Sequence, residues 1–227
     1  MKGIHQKWGD LGVRIVSALV MLAIGLTAVL SGTIIFSAVV LLIVLIGIWE
    51  LVRMGRTKSA TAGFTFGDFF VLSGYAFFVC LAALGLVALY AVIGVYGVGY
   101  LIFLVIVTDT LGYFVGRIIG GKKFWPSISP KKTWAGILGG WGGVVVLALL
   151  ASSLDLARGV PVAWFVLFSV AMSFASQLGD IVESALKRRM GVKDSSNIIP
   201  GHGGVLDRFD ALLAASFVML GLIVVVA

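Results

Sequence analysis

The chain has 227 residues, 60% of them hydrophobic and only 12% charged, with a mean hydropathy of +1.14. A soluble domain is about 45–50% apolar and about 25% charged, so there is too little polar side chain to cover a water-facing surface and a soluble globular domain is excluded. Thirty glycines beside four prolines sit inside apolar runs, which excludes a disordered or collagen-like chain and suits close packing of membrane helices.

The fold class expected is therefore all-α, a polytopic membrane bundle of about seven transmembrane helices. The excess of 17 Lys and Arg over 10 Asp and Glu, +7 in all, is a topology signal and a contact for anionic headgroups of the lipid bilayer; no nucleic-acid partner is expected. The single Cys80 cannot close an internal disulfide and reads as a packed thiol.

In chain order, Lys2, Lys7 and Arg14 precede a long apolar stretch that is followed at once by another, so an uncleaved first span is expected and not a signal peptide. The apolar segments are 15–30, 34–52, 69–93, 98–119, 134–154, 161–186 and 209–227, each near the ~20 residues that cross the hydrocarbon. Segment 69–93 could be one tilted helix or two short ones, and charge decides. With seven spans, the loops on the N-terminal side hold 16 of the 17 basic residues and the other side holds only Arg158. Splitting 69–93 would destroy that bias. The positive-inside rule then places the N-terminus in the cytoplasm, the C-terminus outside, and the protein in the cytoplasmic membrane. Residues 1–227 read as one integral membrane domain, with N-terminal spans over 1–97 and the functional spans and cytoplasmic loops over 98–227.

Charges within spans cost about 2.5–3.5 kcal/mol each on insertion scales and mark function by default. Asp109 lies in the middle of the fourth span, Asp180 and Glu183 near the cytoplasmic end of the sixth, and Asp207 and Asp210 open the seventh. Asp180, Ser184 and Lys187 share one helical face, as do Asp207 and Asp210. Two acidic faces joined by a loop rich in Lys and Arg suit Mg²⁺, which takes carboxylates together with substrate phosphates, and suit transfer of a phosphoryl or nucleotidyl group. Interfacial salt bridges and helix-end charge pairs would use the same residues.

Two loops are long enough for chemistry. In 120–133, Lys122, Lys123, Lys131 and Lys132 stand among Ser and Thr, which fits a triphosphate or an anionic membrane surface. Gly116 to Lys122 imitates a P-loop, but Lys123 stands where Ser or Thr is required and no strand precedes it. In the second loop, Pro200-Gly201-His202-Gly203-Gly204 permits positive φ and either a phosphate cradle or a plain tight turn. His202 reads as a hydrogen-bonding turn residue; with only His5 besides, no zinc site is on offer. Glycines at 112, 116 and 120, at 136 and 140, and at 139 and 143 recur every fourth residue and read as helix packing.

The stretch from Ser184 to Asp210, S-A-L-K-R-R-M-G-V-K-D-S-S-N-I-I-P-G-H-G-G-V-L-D-R-F-D, resembles the signature of the phosphatidate cytidylyltransferases (CDP-diacylglycerol synthases). Its fixed positions are met by Ser184, Lys187, Arg188, Lys193, Asp194, His202, Gly203, Gly204, Asp207, Arg208 and Asp210. Gly179-Asp180, Asp109 with Tyr113 and Gly116, and Ser129-Pro130-Lys131-Lys132-Thr133-Trp134 with Gly136 resemble the family too. One departure is Ala135, where the family usually carries Glu or Gln. The chain is also shorter than many members, and helices near the N-terminus are expected to be the missing part.

The resemblance implies an enzyme of phospholipid biosynthesis that joins CTP and phosphatidic acid to give CDP-diacylglycerol and pyrophosphate. It implies Mg²⁺, with room for a second cation, on Asp180 and Asp207. Asp210, Asp194 and Asp109 are further candidates. Lys187, Arg188, Lys193 and Arg208 are expected to hold phosphates, Ser129, Lys131 and Lys132 to reach the triphosphate, Ser184 and His202 to contact substrate, and Gly203 and Gly204 to give backbone access. A homodimer is implied by the same analogy. A related transferase acting on another lipid phosphate is the alternative reading. A transporter would also explain buried acids, but Asp109 is read as the only charge deep in a span and no inverted repeat is visible.

Overall fold

The computed structural model describes the backbone of residues 2–226 and the side chains of residues 11–225. The tail side chains Lys2 and Lys7, expected to contribute to the topology bias, and His5 lie outside the described residues. Among the described residues, seven helices follow one another: α1 (Lys2–Leu30), α2 (Thr33–Thr61), α3 (Phe66–Ile93), α4 (Val95–Ile119), α5 (Trp134–Ser153), α6 (Val162–Arg189) and α7 (Leu206–Val226). Each is long and apolar enough to cross a bilayer, and the protein is a polytopic all-α membrane protein. The segment around 69–93 forms one helix, as the charge distribution requires.

One element was not expected. The loop between α4 and α5 folds into an antiparallel hairpin, β1 (Lys123–Trp125) and β2 (Ser129–Thr133), pairing Lys123 with Thr133 and Trp125 with Ser129. Gly120 and Gly121, both at positive φ, turn the chain out of α4. Thr133 then caps α5, its hydroxyl accepting from the Gly136 amide at 3.2 Å.

Other helix ends have equally local causes. The apolar run of α2 stops near Val52, yet the helix continues to Thr61 through Arg53, Arg56 and Lys58; Lys58 stands in the last turn, where a basic side chain offsets the partial negative charge of a helix C-terminus. At the start of α3, Thr65 and Asp68 form a reciprocal capping pair: Asp68 Oδ2 accepts from the Thr65 amide and hydroxyl at 3.0 and 2.8 Å, and Thr65 Oγ1 accepts from the Asp68 amide at 3.2 Å. At the end of α6, Gly191 sits at φ +73; its amide bonds Arg188 O and that of Val192 bonds Lys187 O, the Schellman pattern.

Contacts gather the chain into two compact units, Met1–Cys80 with Leu186–Phe209 and Leu81–Ala185 with Asp210–Ala227. In the first, Met54, Met190 and Leu206 are fully buried. Gly47 admits Leu206, whose Cδ2 would stand 3.0 Å from a Cβ there. In the second, α4 and α5 pack through glycine. A Cβ at Gly136 would lie 2.6 Å from Gly112 O, and one at Gly139 would lie 2.5 Å from Val115 Cβ. Gly120 departs from the expected packing row: it is the C-cap of α4, at φ +65, and nothing stands near it. Between α4 and α6 runs a buried polar ladder, Tyr100 with Ser169 at 2.7 Å and Thr108 with Ser173 at 2.8 Å, of the kind that holds membrane helices in register.

Candidate active site

The polar residues singled out by sequence fall into two clusters, one in each unit. In the second unit, Asp180 lies on α6 with its side chain 43% exposed. Its Oδ2 meets Lys132 Nζ at 2.7 Å and its Oδ1 accepts from Ser184 Oγ at 3.3 Å. Lys132 comes from β2, so the hairpin delivers this ammonium; it also donates to Gln177 O at 3.0 Å. Asp109 on α4 is within electrostatic reach of both Lys132 and Asp180. Gly179 brings α6 against the start of α7: a Cβ there would lie 2.5 Å from Asp210 O. Ser129 is half-buried and Lys131 exposed on β2.

In the first unit, Asp207 in the first turn of α7 is the hub. Its side chain is 4% exposed. Oδ1 pairs with Lys187 Nζ of α6 at 2.5 Å. Oδ2 accepts from the Ser195 amide and hydroxyl, both at 2.9 Å, and from the Gly204 amide at 2.8 Å. The carboxylate thereby reaches back three residues to a free amide at the helix start, as a capping side chain does, while Lys187 supplies the counter-charge that its burial demands.

The glycine-rich turn is a tight one. Ile199 and Gly203 exchange backbone hydrogen bonds, and the His202 amide also donates to Ile199 O. With Gly204 N on Asp207, the amides at 202, 203 and 204 are all taken by the protein's own acceptors. The glycines serve close approach instead: Gly203 lies at φ +89 with Asp207 Oδ2 2.8 Å from where a Cβ would stand, and a Cβ on Gly204 would overlap the Ser195 hydroxyl and the Glu50 carboxylate. His202 Nδ1 lies 2.8 Å from Ser17 Oγ of α1, and Arg208 Nε donates to His202 O at 3.0 Å. Arg188, Lys193 and Asp194 are exposed around this turn.

Sequence reasoning missed two residues of this cluster. Glu50 of α2, two residues before the apolar run of that helix ends, is fully buried and holds the segment that carries Asp207. Ser195 joins Glu50 to Asp207. The rule that flagged Asp109, a carboxylate inside an apolar stretch, applies equally to Glu50. Ser195 carries no such signal, because its partners lie 145 and 12 residues away.

Lysine-paired carboxylates and a basic, glycine-bearing loop on apolar helices define a membrane protein with charged clusters of both signs. Residues 64–226 match the model of the Cytidylyltransferase family, and the chain belongs to that family. Among similar proteins, it is 46% identical over 123 residues to a phosphatidate cytidylyltransferase of Bacillus subtilis, covering 52% of this chain and 45% of that protein. To proteins of the same name it is 48% identical over 110 residues in Brucella abortus (48% of this chain, 40% of the relative) and 46% over 119 residues in Haemophilus influenzae (51% and 41%). The matched part of the chain thus spans less than half the length of these curated relatives.

Proposed function

We propose that this protein transfers the cytidylyl group of CTP to phosphatidic acid, giving CDP-diacylglycerol and pyrophosphate, at the cytoplasmic face of the cytoplasmic membrane. A phosphate oxygen of the lipid attacks the α-phosphorus of CTP, and the bond to the β-phosphate oxygen breaks as pyrophosphate leaves. The nucleophile is already anionic and needs little help from a base. Its obstacle is the approach of two anions, which positioned cations relieve.

The observation that carries this reading is the Ser184–Asp210 motif folded around Asp207, with Lys187 on one carboxylate oxygen and Ser195 and Gly204 on the other. Asp180 supports it, being paired with Lys132 yet still open to solvent. The donor chemistry of the carboxylates fits Mg²⁺: Asp180 is partly exposed and keeps acceptor capacity, and Asp207 Oδ1 faces the Lys187 ammonium. Mg²⁺ held by these carboxylates would neutralise phosphate charge and orient the triphosphate. Lys132 and Lys187 hold the two carboxylates in place. Arg188, Lys193 and Arg208 are exposed cations able to take phosphates from the lipid or the nucleotide. The positive-inside distribution supports the cytoplasmic orientation.

Purified protein incubated with labelled CTP, phosphatidic acid and Mg²⁺ is expected to form a lipid-soluble cytidine product with release of pyrophosphate, and EDTA should abolish it. Asp180→Asn and Asp207→Asn should each lower turnover by more than about 100-fold, beyond the 10–100-fold typical of residues that only support a metal ligand. Near-wild-type turnover in either folded variant removes that residue from the metal site. Conversion of an isoprenoid-ether phosphate in preference to phosphatidic acid would assign the chain to the related substrate class.

A further inference from the structure

We infer that Glu50 is a positioning residue for Asp207, acting through Ser195, an assignment that rests on the reading of Asp207 given above. Glu50 lies on α2, fully buried. Four donors converge on it. Ser195 Oγ donates to Oε2 at 3.0 Å and Ser196 Oγ to Oε1 at 2.5 Å. The Val205 amide donates to Oε1 and the Leu206 amide to Oε2, both at 2.8 Å.

The identity of the donors gives the role. Val205 and Leu206 are where α7 begins, and their amides are among those a helix leaves without an internal partner. Glu50 therefore caps α7 from a different helix, one turn after Gly47 admits Leu206. Ser195 and Ser196 are at the other end of the loop. One side chain thus fixes both ends of the segment 195–206, and both ends also meet Asp207, through Ser195 and Gly204. The Ser195 hydroxyl has a single proton and lies between two carboxylates, 3.0 Å from Glu50 Oε2 and 2.9 Å from Asp207 Oδ2. That proton serves one carboxylate at a time, so any shift of Glu50 moves the Ser195 hydroxyl against Asp207 Oδ2, the oxygen that the Ser195 and Gly204 amides also hold, and so changes the direction in which Oδ1 points. Four donors would lose their acceptor if Glu50 were apolar, at the cost of unsatisfied buried groups, so the carboxylate is specified by the loop and not by bulk packing.

The test uses the full chain in lipid nanodiscs, with the variants Glu50→Gln and Ser195→Ala. Amide hydrogen exchange is read across 195–206, and the Mg²⁺ concentration for half-maximal turnover of CTP and dioleoyl phosphatidic acid is measured well below the unfolding temperature. Glu50→Gln puts a side-chain NH₂ among donors. It should speed exchange at 195 and 204–206 at least 10-fold and raise the Mg²⁺ requirement about 10–100-fold, the range for a residue supporting a metal ligand, with the KM for phosphatidic acid changed less than threefold. Ser195→Ala should raise the Mg²⁺ requirement likewise while 205 and 206 stay protected by Glu50, which separates relay from capping.

A Mg²⁺ requirement within twofold of wild type in either folded variant overturns the inference, whatever the loss in thermal stability. If Glu50→Gln does not fold, Ser195→Ala decides alone. If the wild-type chain fails to convert CTP and phosphatidic acid, the proposed function falls. The exchange arm then still judges Glu50: unchanged protection at Ser195 and Gly204 in Glu50→Gln overturns the inference independently.

Discussion

Gly204 shows how little room surrounds the catalytic carboxylate proposed here. Its amide donates to Asp207 Oδ2 at 2.8 Å, and the space where a side chain would begin is filled by the Ser195 hydroxyl and the Glu50 carboxylate. Its φ is not in the left-handed region, so the constraint is contact and not backbone conformation. Gly204→Ala should therefore destabilise the folded protein by about 1–3 kcal/mol, the usual cost of overpacking, and lower turnover as Asp207 is displaced. The unfolding midpoint in detergent and the initial rate check it; wild-type values for both would show that the two carboxylates tolerate a methyl group between them. At this scale the sequence was half legible. A glycine pair before an aspartate signals a close approach of backbone to something. It does not say that the something is Glu50, 154 positions earlier in the chain, because no local periodicity links an α2 residue to a loop before α7.

Helices were legible as elements because membrane insertion leaves a crude signature: about 20 apolar residues with no backbone group left unpaired. Their ends were less so. α2 runs nine residues past Val52, since charged side chains at the interface cost nothing to a helix that has left the hydrocarbon. The β1–β2 hairpin was missed for a different reason. Its strands have three and five residues, β2 is Ser-Pro-Lys-Lys-Thr, and its pairing carries a register irregularity, so it presents neither alternating hydrophobicity nor a regular turn signature. What it does is place Lys132 beside Asp180 and Thr133 at the start of α5. The glycine rows of α4 and α5 were read correctly as packing, Gly120 excepted. Gly136→Leu should break that contact, because Gly112 O and the Gly116 Cα at 3.3 Å occupy the place of its side chain. We expect a loss of at least about 2 kcal/mol of stability and, through the Thr133 cap, a weakened hold on Lys132. Retained thermal stability in that variant would show that α4 and α5 do not pack through this glycine.

For the whole molecule, seven crossings put the two ends of the chain on opposite sides of the bilayer, and the connections then sort by charge. Ser31 with Gly32 and the single residue Gly94 are the whole of two connections. The third on that side, 154–161, carries Asp155 and Arg158. On the other side lie the hairpin loop with its lysines and the 190–205 segment flanked by Lys187, Arg188, Arg189 and Arg208. Arg188 and the hairpin lysines Lys122, Lys123 and Lys131 are exposed there, where an anionic leaflet attracts them. The same asymmetry gathers the basic residues of both loops on one side, the side that the positive-inside rule assigns to the cytoplasm. This is testable without any assay of turnover. In a Cys80→Ser background, Ser127→Cys in the hairpin turn should react with a membrane-impermeant maleimide in inverted vesicles and be protected in right-side-out ones, while Val160→Cys should show the reverse. Labelling of both from one side would require an even number of crossings between α4 and α6, would break the charge rule for this chain, and would take the proposed cytoplasmic site with it.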